Sequence, residues 1–177
     1  MAKKKVIIFI DGSNFYHDLI KNFGHANINF EKFSIFLTGK NKLVTVYYYS
    51  APLIQKDNPG AYSKQQKFFS SLEKIHNFNI KLGRLEKRLN GHPVEKGVDV
   101  RLAVDIVTHA YSNIYDLGII VSGDSDFVPA IKAAQDFGKE INNVCFSKTK
   151  SFHLNHICDN TIVIEKNNFE KLIWQKH

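Results

Sequence analysis

The chain has 177 residues, 44% hydrophobic and 23% charged, the composition of a soluble globular protein with room for one proper core. Its 24 Lys and Arg exceed 17 Asp and Glu, giving +7, a balance that favours an anionic partner, nucleic acid first, although basic surfaces also serve solubility alone. The two cysteines, Cys145 and Cys158, exclude a disulfide framework and make no metal-ligand spacing, so a reducing cytoplasm is expected; no segment reaches the roughly 20 apolar residues of a membrane span.

In chain order, Lys3-Lys-Lys followed by Val-Ile-Ile-Phe-Ile imitates a signal peptide. The apolar run is too short and lacks a small-residue cleavage site, so Lys5–Ile10 reads as the first strand. Asn14–Phe23 and Glu31–Leu37 read as helices, and Leu43–Tyr49, rich in Val, Thr and Tyr, as the second strand. Ala51–Gly60, with two prolines and a glycine, reads as a loop. Phe68, Phe69, Leu72 and Ile75 make a helical stripe in Ala61–His76. Phe78–Leu82 is a third strand that continues irregularly to Leu89, where Asn90-Gly91 marks a tight turn. Val98–Ser112 is a helix, Leu117–Val121 a fourth strand, Ser125–Phe137 a helix and Glu140–Phe146 a fifth strand. Thr161–Glu165 reads as a short sixth strand and Phe169–Trp174 as a final helix. Strands alternating with helices of these lengths predict an α/β fold, a parallel sheet covered on both faces. Residues 1–177 read as a single domain, with its core over about 5–147 and a C-terminal extension over 148–177. That extension packs against the sheet edge or against a partner chain, as in a homodimer; the sequence leaves both open.

The chemistry concentrates in Leu117-Gly-Ile-Ile-Val-Ser-Gly-Asp-Ser-Asp-Phe127, a buried strand that empties into a polar cluster where open α/β sheets place ligand crevices. Asp124 and Asp126, two residues apart, repel one another unless a cation lies between them. The first strand ends the same way, Ile10-Asp-Gly-Ser-Asn14. If the first and fourth strands are neighbours, Asp11 and Asp124 face one crevice at the switch point. Asp11 and Ser13 equally suit capping of the next helix. Asp99 heads the helix whose Leu102, Ala103, Ile106, Val107 and Ala110 form an apolar stripe, which puts its carboxylate on the buried face. There it needs a partner or a metal, and it gains from the helix dipole. Asp105, about 120° further round, pairs with His109 instead.

Asp11, Asp99, Asp124 and Asp126 are thus candidate metal ligands and catalytic acids. Oxygen-only ligands suit Mg²⁺ or Mn²⁺. Such clusters carry out metal-assisted phosphodiester hydrolysis, one metal activating water and a second holding the leaving oxygen. Asn14 and Ser122 are neutral groups able to orient a water or phosphate, although a small polar residue is also what a tight strand exit tolerates.

At these residues the chain resembles the NYN-domain nucleases of the PIN-like superfamily, and within them the LabA-like (DUF88) branch. The resemblance rests on Ile10-Asp-Gly-Ser-Asn-Phe15, Lys96-Gly-Val-Asp-Val100 and Val121-Ser-Gly-Asp-Ser-Asp-Phe127, in that order and spacing, over about residues 5–147. It implies a three-layer α/β/α fold with a central, mostly parallel sheet of Rossmann-like topology. It also implies a metal-dependent ribonuclease site with Asp11, Asp99, Asp124 and Asp126 as the metal-binding acids, supported by Asn14 and Ser122.

RNA, single-stranded or structured, is the expected partner. Lys81, at the end of the third strand, and Arg84, Lys87, Arg88 and Lys96, on a projecting loop or ribbon over 83–97, lead to Asp99, and Lys148 and Lys150 follow the fifth strand. They are placed for phosphate contact, or form a solvated charged face. Tyr47-Tyr-Tyr49 offers base stacking or, by strand alternation, core. A divalent-metal-dependent endoribonuclease is the leading reading. A non-catalytic RNA- or protein-binding regulatory module is the alternative, against which four clustered carboxylates argue. A phosphatase with an aspartyl nucleophile at Asp11 wants a second acid where Ser13 stands.

Overall fold

The computed structural model describes residues 2–87 and 93–173. Its central strand, β1 (Lys5–Asp11), is buried from Val6 to Asp11 because alternate side chains enter two separate cores. Val6, Ile8 and Ile10 point to one face, Ile7 and Phe9 to the other. With β2 (Lys42–Ser50), β3 (Phe78–Leu82), β6 (Leu117–Val121), β7 (Glu140–Phe146) and β8 (Asn160–Ile164) it forms a sheet in the order β3-β2-β1-β6-β7-β8. Every pairing in it is parallel. Strand order reverses between β1 and β6, so the predicted neighbours are neighbours, and the switch-point crevice opens beyond their carboxyl ends.

The first core lies under α1 (Gly12–Phe23), α2 (Phe30–Thr38), α3 (Pro59–Leu72) and α7 (Lys166–Leu172), through residues such as Phe15, Phe33, Phe69 and Phe169. The second lies under α4 (Val98–Tyr111), α5 (Val128–Asp136) and α6 (Phe152–Ile157), through Leu102, Ile106, Ile131 and Leu154. This is the expected three-layer α/β/α architecture. Tyr48 and Tyr49 belong to the two cores, one to each, and so are not free for base stacking.

Several boundaries differ from the sequence reading. The loop expected to reach Gly60 ends earlier: Asn58 caps α3, accepting from the amide of Ala61 at 2.9 Å, and Pro59 starts the helix, a position that needs no donor. Residues 125–127 form a 3₁₀ turn before α5 begins. The irregular continuation of β3 is a separate antiparallel ribbon, β4 (Arg84–Lys87) against β5 (Pro93–Lys96); Arg88, Leu89 and the predicted Asn90-Gly91 turn lie outside the described residues, as does Trp174. The C-terminal extension packs on the sheet. β8 pairs with β7, α6 was not foreseen, and Phe169 of α7 stacks on Phe23 with ring centroids 3.9 Å apart.

Candidate active site at the ends of β1 and β6

Asp11 is the last residue of β1 and the N-cap of α1, and its two oxygens do different work. Oδ1 accepts from the backbone amide of Asn14 at 3.1 Å, while Oδ2 accepts from the Ser122 hydroxyl at 3.1 Å. The capping role and the crevice role therefore coexist in one side chain. Gly12 follows because nothing larger fits: a Cβ there would stand 2.6 Å from the Tyr49 carbonyl oxygen and 2.6 Å from the Tyr48 ring.

The β6 exit is tied to the β1 exit by side chains. Ser122, 2% exposed, donates to Asp11 and accepts from the amide of Asp124 at 3.1 Å. Asn14 Oδ1 accepts from the amide of Gly123 at 2.9 Å. Asp124 Oδ1 in turn accepts from the amide of Asp126 at 2.9 Å, capping the 3₁₀ turn. Ser122 and Asn14 thus spend these polar atoms inside the protein, as braces for the carboxylates. Asn143, fully buried in the middle of β7, adds a further brace by donating to the carbonyl of Ser122 at 2.8 Å.

Asp99 arrives from the first turn of α4. Contrary to the stripe argument, it is exposed: α4 buries Val98, Leu102, Ile106 and Ala110, a face one residue out of phase with Asp99. Gly97, at φ 76°, turns the chain into that helix, and Val98 rather than Asp99 plugs the core. The expected pair of Asp105 with His109 is also replaced. Asp105 accepts from the Tyr49 hydroxyl at 2.8 Å and stands 4.0 Å from Lys81, whereas His109 stacks on Tyr47 and leaves Nε2 without a partner.

Electrostatics join the four acids. Burial raises Asp11 from 3.8 to about 6, against the two hydrogen bonds that lower it, and the charges of Asp99 and Asp124 raise it further. Asp99 is raised by partial loss of water and then by Asp124 and Asp126. Glu95, on β5, is raised by burial and then by Asp11 and Asp99. Glu95 is thus a fifth acid in this field, which the sequence reading did not single out. The only signal was its place four residues before Asp99, which means little while the ribbon is unknown.

Among the described residues none of these carboxylates is ion-paired. Nor do any three acidic, histidine or cysteine side chains there stand close enough to cage an ion by themselves. Mg²⁺ is ordinarily held by one or two carboxylates, with waters and substrate phosphates completing the shell. An uncompensated, all-oxygen donor set fits a hard cation of that kind. The basic candidates sit on the ribbon. Arg84 is engaged by Glu86 at 2.6 Å, Lys87 by Asp57, and Lys96 is exposed just before Gly97; Arg88 lies outside the described residues. Lys148 and Lys150 lie in the turn after β7, whose Thr149 carbonyl faces Gly123.

A family model described as NYN domain matches residues 5–165, taking in all of β8 and reaching well past the span of the motifs. No curated protein matches the chain. The fold is similar to that of a protein of unknown function from Vibrio parahaemolyticus, with a TM-score of 0.74 over 97% of both chains at 22% identity.

Proposed function

The chain belongs to the NYN domain family, and from that membership we propose that it is a divalent-metal-dependent endoribonuclease working through Asp11, Asp99, Asp124 and Asp126. NYN domains are generally nucleases that act on RNA and typically use divalent metals. The wording of the three motifs supports the LabA-like branch, and two free, buried thiols suit a reducing cytoplasm. Among the described residues no helix is long and apolar enough to cross a membrane.

The observation that carries the reading is the convergence of Asp11 and Asp124 from adjacent parallel strands, with Asp99 close enough for the three charges to oppose one another. Asp11 and Asp124 are held by backbone amides and by Ser122, which fits them to bind Mg²⁺ or Mn²⁺ in a fixed geometry, with Asp99 and Asp126 beside them. When bound, the cation supplies charge stabilisation at the scissile phosphate and acidifies the attacking water. Asp99 and Asp126 are both exposed, and neither carboxylate accepts a hydrogen bond among the described residues; Asp99, which comes from a different element and has its carboxyl raised, would be the base that takes a proton from the attacking water. Lys96 and the ribbon cations draw in the phosphate backbone.

The test is cleavage of an end-labelled single-stranded RNA with Mg²⁺ or Mn²⁺, comparing the wild type with Asp124→Asn. The exchange removes charge while keeping an acceptor for the Asp126 amide. Metal-dependent cutting that disappears in the variant is the expected result. Binding without cutting by either protein, across several RNAs, would point to a regulatory module instead.

A further inference from the structure

Beside the acids lies a cleft of about 500 Å³ between α1, α3 and the end of β2. Its volume is in the range of small-molecule sites. Two features join it to the carboxylates. Gly12, directly after Asp11, forms part of its floor, and Glu95, whose charge is felt together with those of Asp11 and Asp99, closes one side. Its accessible walls are apolar and aromatic: Tyr16 is 51% exposed, Leu53 is 36% exposed and Phe68 is half-buried. Lys64 stands at the cleft and is exposed.

We propose that this cleft is a subsite for one unpaired nucleobase of an RNA strand whose neighbouring phosphate lies at Asp11 and Asp124. The inference rests on the nuclease reading above and deepens it to single-stranded substrate. The chemistry of the walls favours this occupant. Aromatic and apolar faces take the π-face of any base, whereas the sugar–phosphate chain wants the cations outside. Lys64 supplies one of those cations on the same rim. A base already paired in a duplex has its edge and both faces occupied, so the cleft admits only a splayed-out base. An apolar peptide would fill the same walls, but it would set carbonyl groups against the carboxylates instead of a cation-bridged phosphate.

Fluorescence anisotropy of a labelled oligouridylate with cleavage-resistant phosphorothioate linkages, in Mg²⁺ so that the cation can bridge its phosphate to the acids, tests the subsite apart from catalysis. Ala61→Trp fills the cleft from α3, and Tyr16→Ala removes an exposed wall that folding does not need; circular dichroism checks both. The expected result is a loss of affinity of about tenfold in each variant, with the same strand annealed to its complement binding no better to wild type than to Ala61→Trp. Wild-type affinity in both variants, or no single-strand binding by the wild type, would overturn the subsite. If cleft variants lose binding but no RNA is ever cut, the subsite stands and the nuclease reading fails. If RNA is cut with metal while both variants bind normally, the reverse holds.

Discussion

The Ser122 hydroxyl donates to Asp11 Oδ2 at 3.1 Å across the parallel pair of β1 and β6, while accepting from the amide of Asp124 at the same distance. One buried oxygen thereby orients two acids on different strands. Ser122→Ala leaves Asp11 Oδ2 and the Asp124 amide without that partner, which costs about 1–3 kcal/mol for a buried polar group. Urea unfolding at pH 7.5 reads the loss. The same hydrogen bond lowers the Asp11 pKa, so its removal shifts the acid limb of any pH–rate profile to higher pH. An unchanged stability together with an unchanged limb would show that the brace is idle.

Asp11 also makes stability fall with rising pH. Its carboxyl is raised from 3.8 to about 6, so between those values the folded protein holds a proton that the unfolded chain has released. The contribution is full below 3.8 and is lost as pH rises through about 6, an effect of ~3 kcal/mol. Asp11→Asn removes the ionisation. It is expected to be more stable than wild type at pH 7.5, by about 1–2 kcal/mol once the altered Ser122 hydrogen bond is counted, and no more stable at pH 4. Thermal melts at the two pH values, without divalent ions, decide this. A gain of equal size at both would assign the effect to something other than ionisation.

Gly12→Ala probes how tightly the β1 exit is built. The added methyl would stand 2.6 Å from the backbone oxygen of Tyr49, which cannot swing away as a side chain does. Overpacking of this kind costs about 1–3 kcal/mol, and it moves Asp11, one residue earlier. Reduced denaturant midpoint with reduced cleavage is expected. A variant as stable and active as wild type would mean that β2 yields easily.

These elements divide what the sequence discloses from what it hides. The apolar runs of β1 and β6 and the polar clusters at their ends are local patterns, so the sheet, its switch point and the places of Asp11 and Asp124 were readable. Asp99 was found by its motif and its helix, but its phase was misjudged, because Gly97 sets where α4 begins and Val98 takes the core position. Glu95 and Asn143 were not readable: one depends on how the ribbon folds back, the other on a strand interior in which two asparagines have no local purpose. Asp105 pairs with Tyr49, a partner 56 residues away that no helical spacing reveals.

Divalent cations should stabilise the protein, and the acids should decide by how much. Asp99 and Asp124 raise Asp11, and Asp124 and Asp126 raise Asp99, with no ion pair among the described residues to relieve them. A cation that binds the folded form at about a hundred times its Kd adds ~2.7 kcal/mol, or about 5–10 °C in Tm for a chain of this size. Melts at pH 7.5 with Mg²⁺ or Mn²⁺, against KCl of equal ionic strength, measure it. Asp124→Asn and Asp99→Asn should each start from a wild-type or higher Tm in EDTA, since a repulsive charge is gone, and should lose most of the metal-induced rise. If all three proteins rose equally, the ion would be binding elsewhere on the surface. If the wild type did not rise at all at millimolar metal, the four carboxylates would not be a metal site in the free protein, and the substrate phosphate would have to complete it.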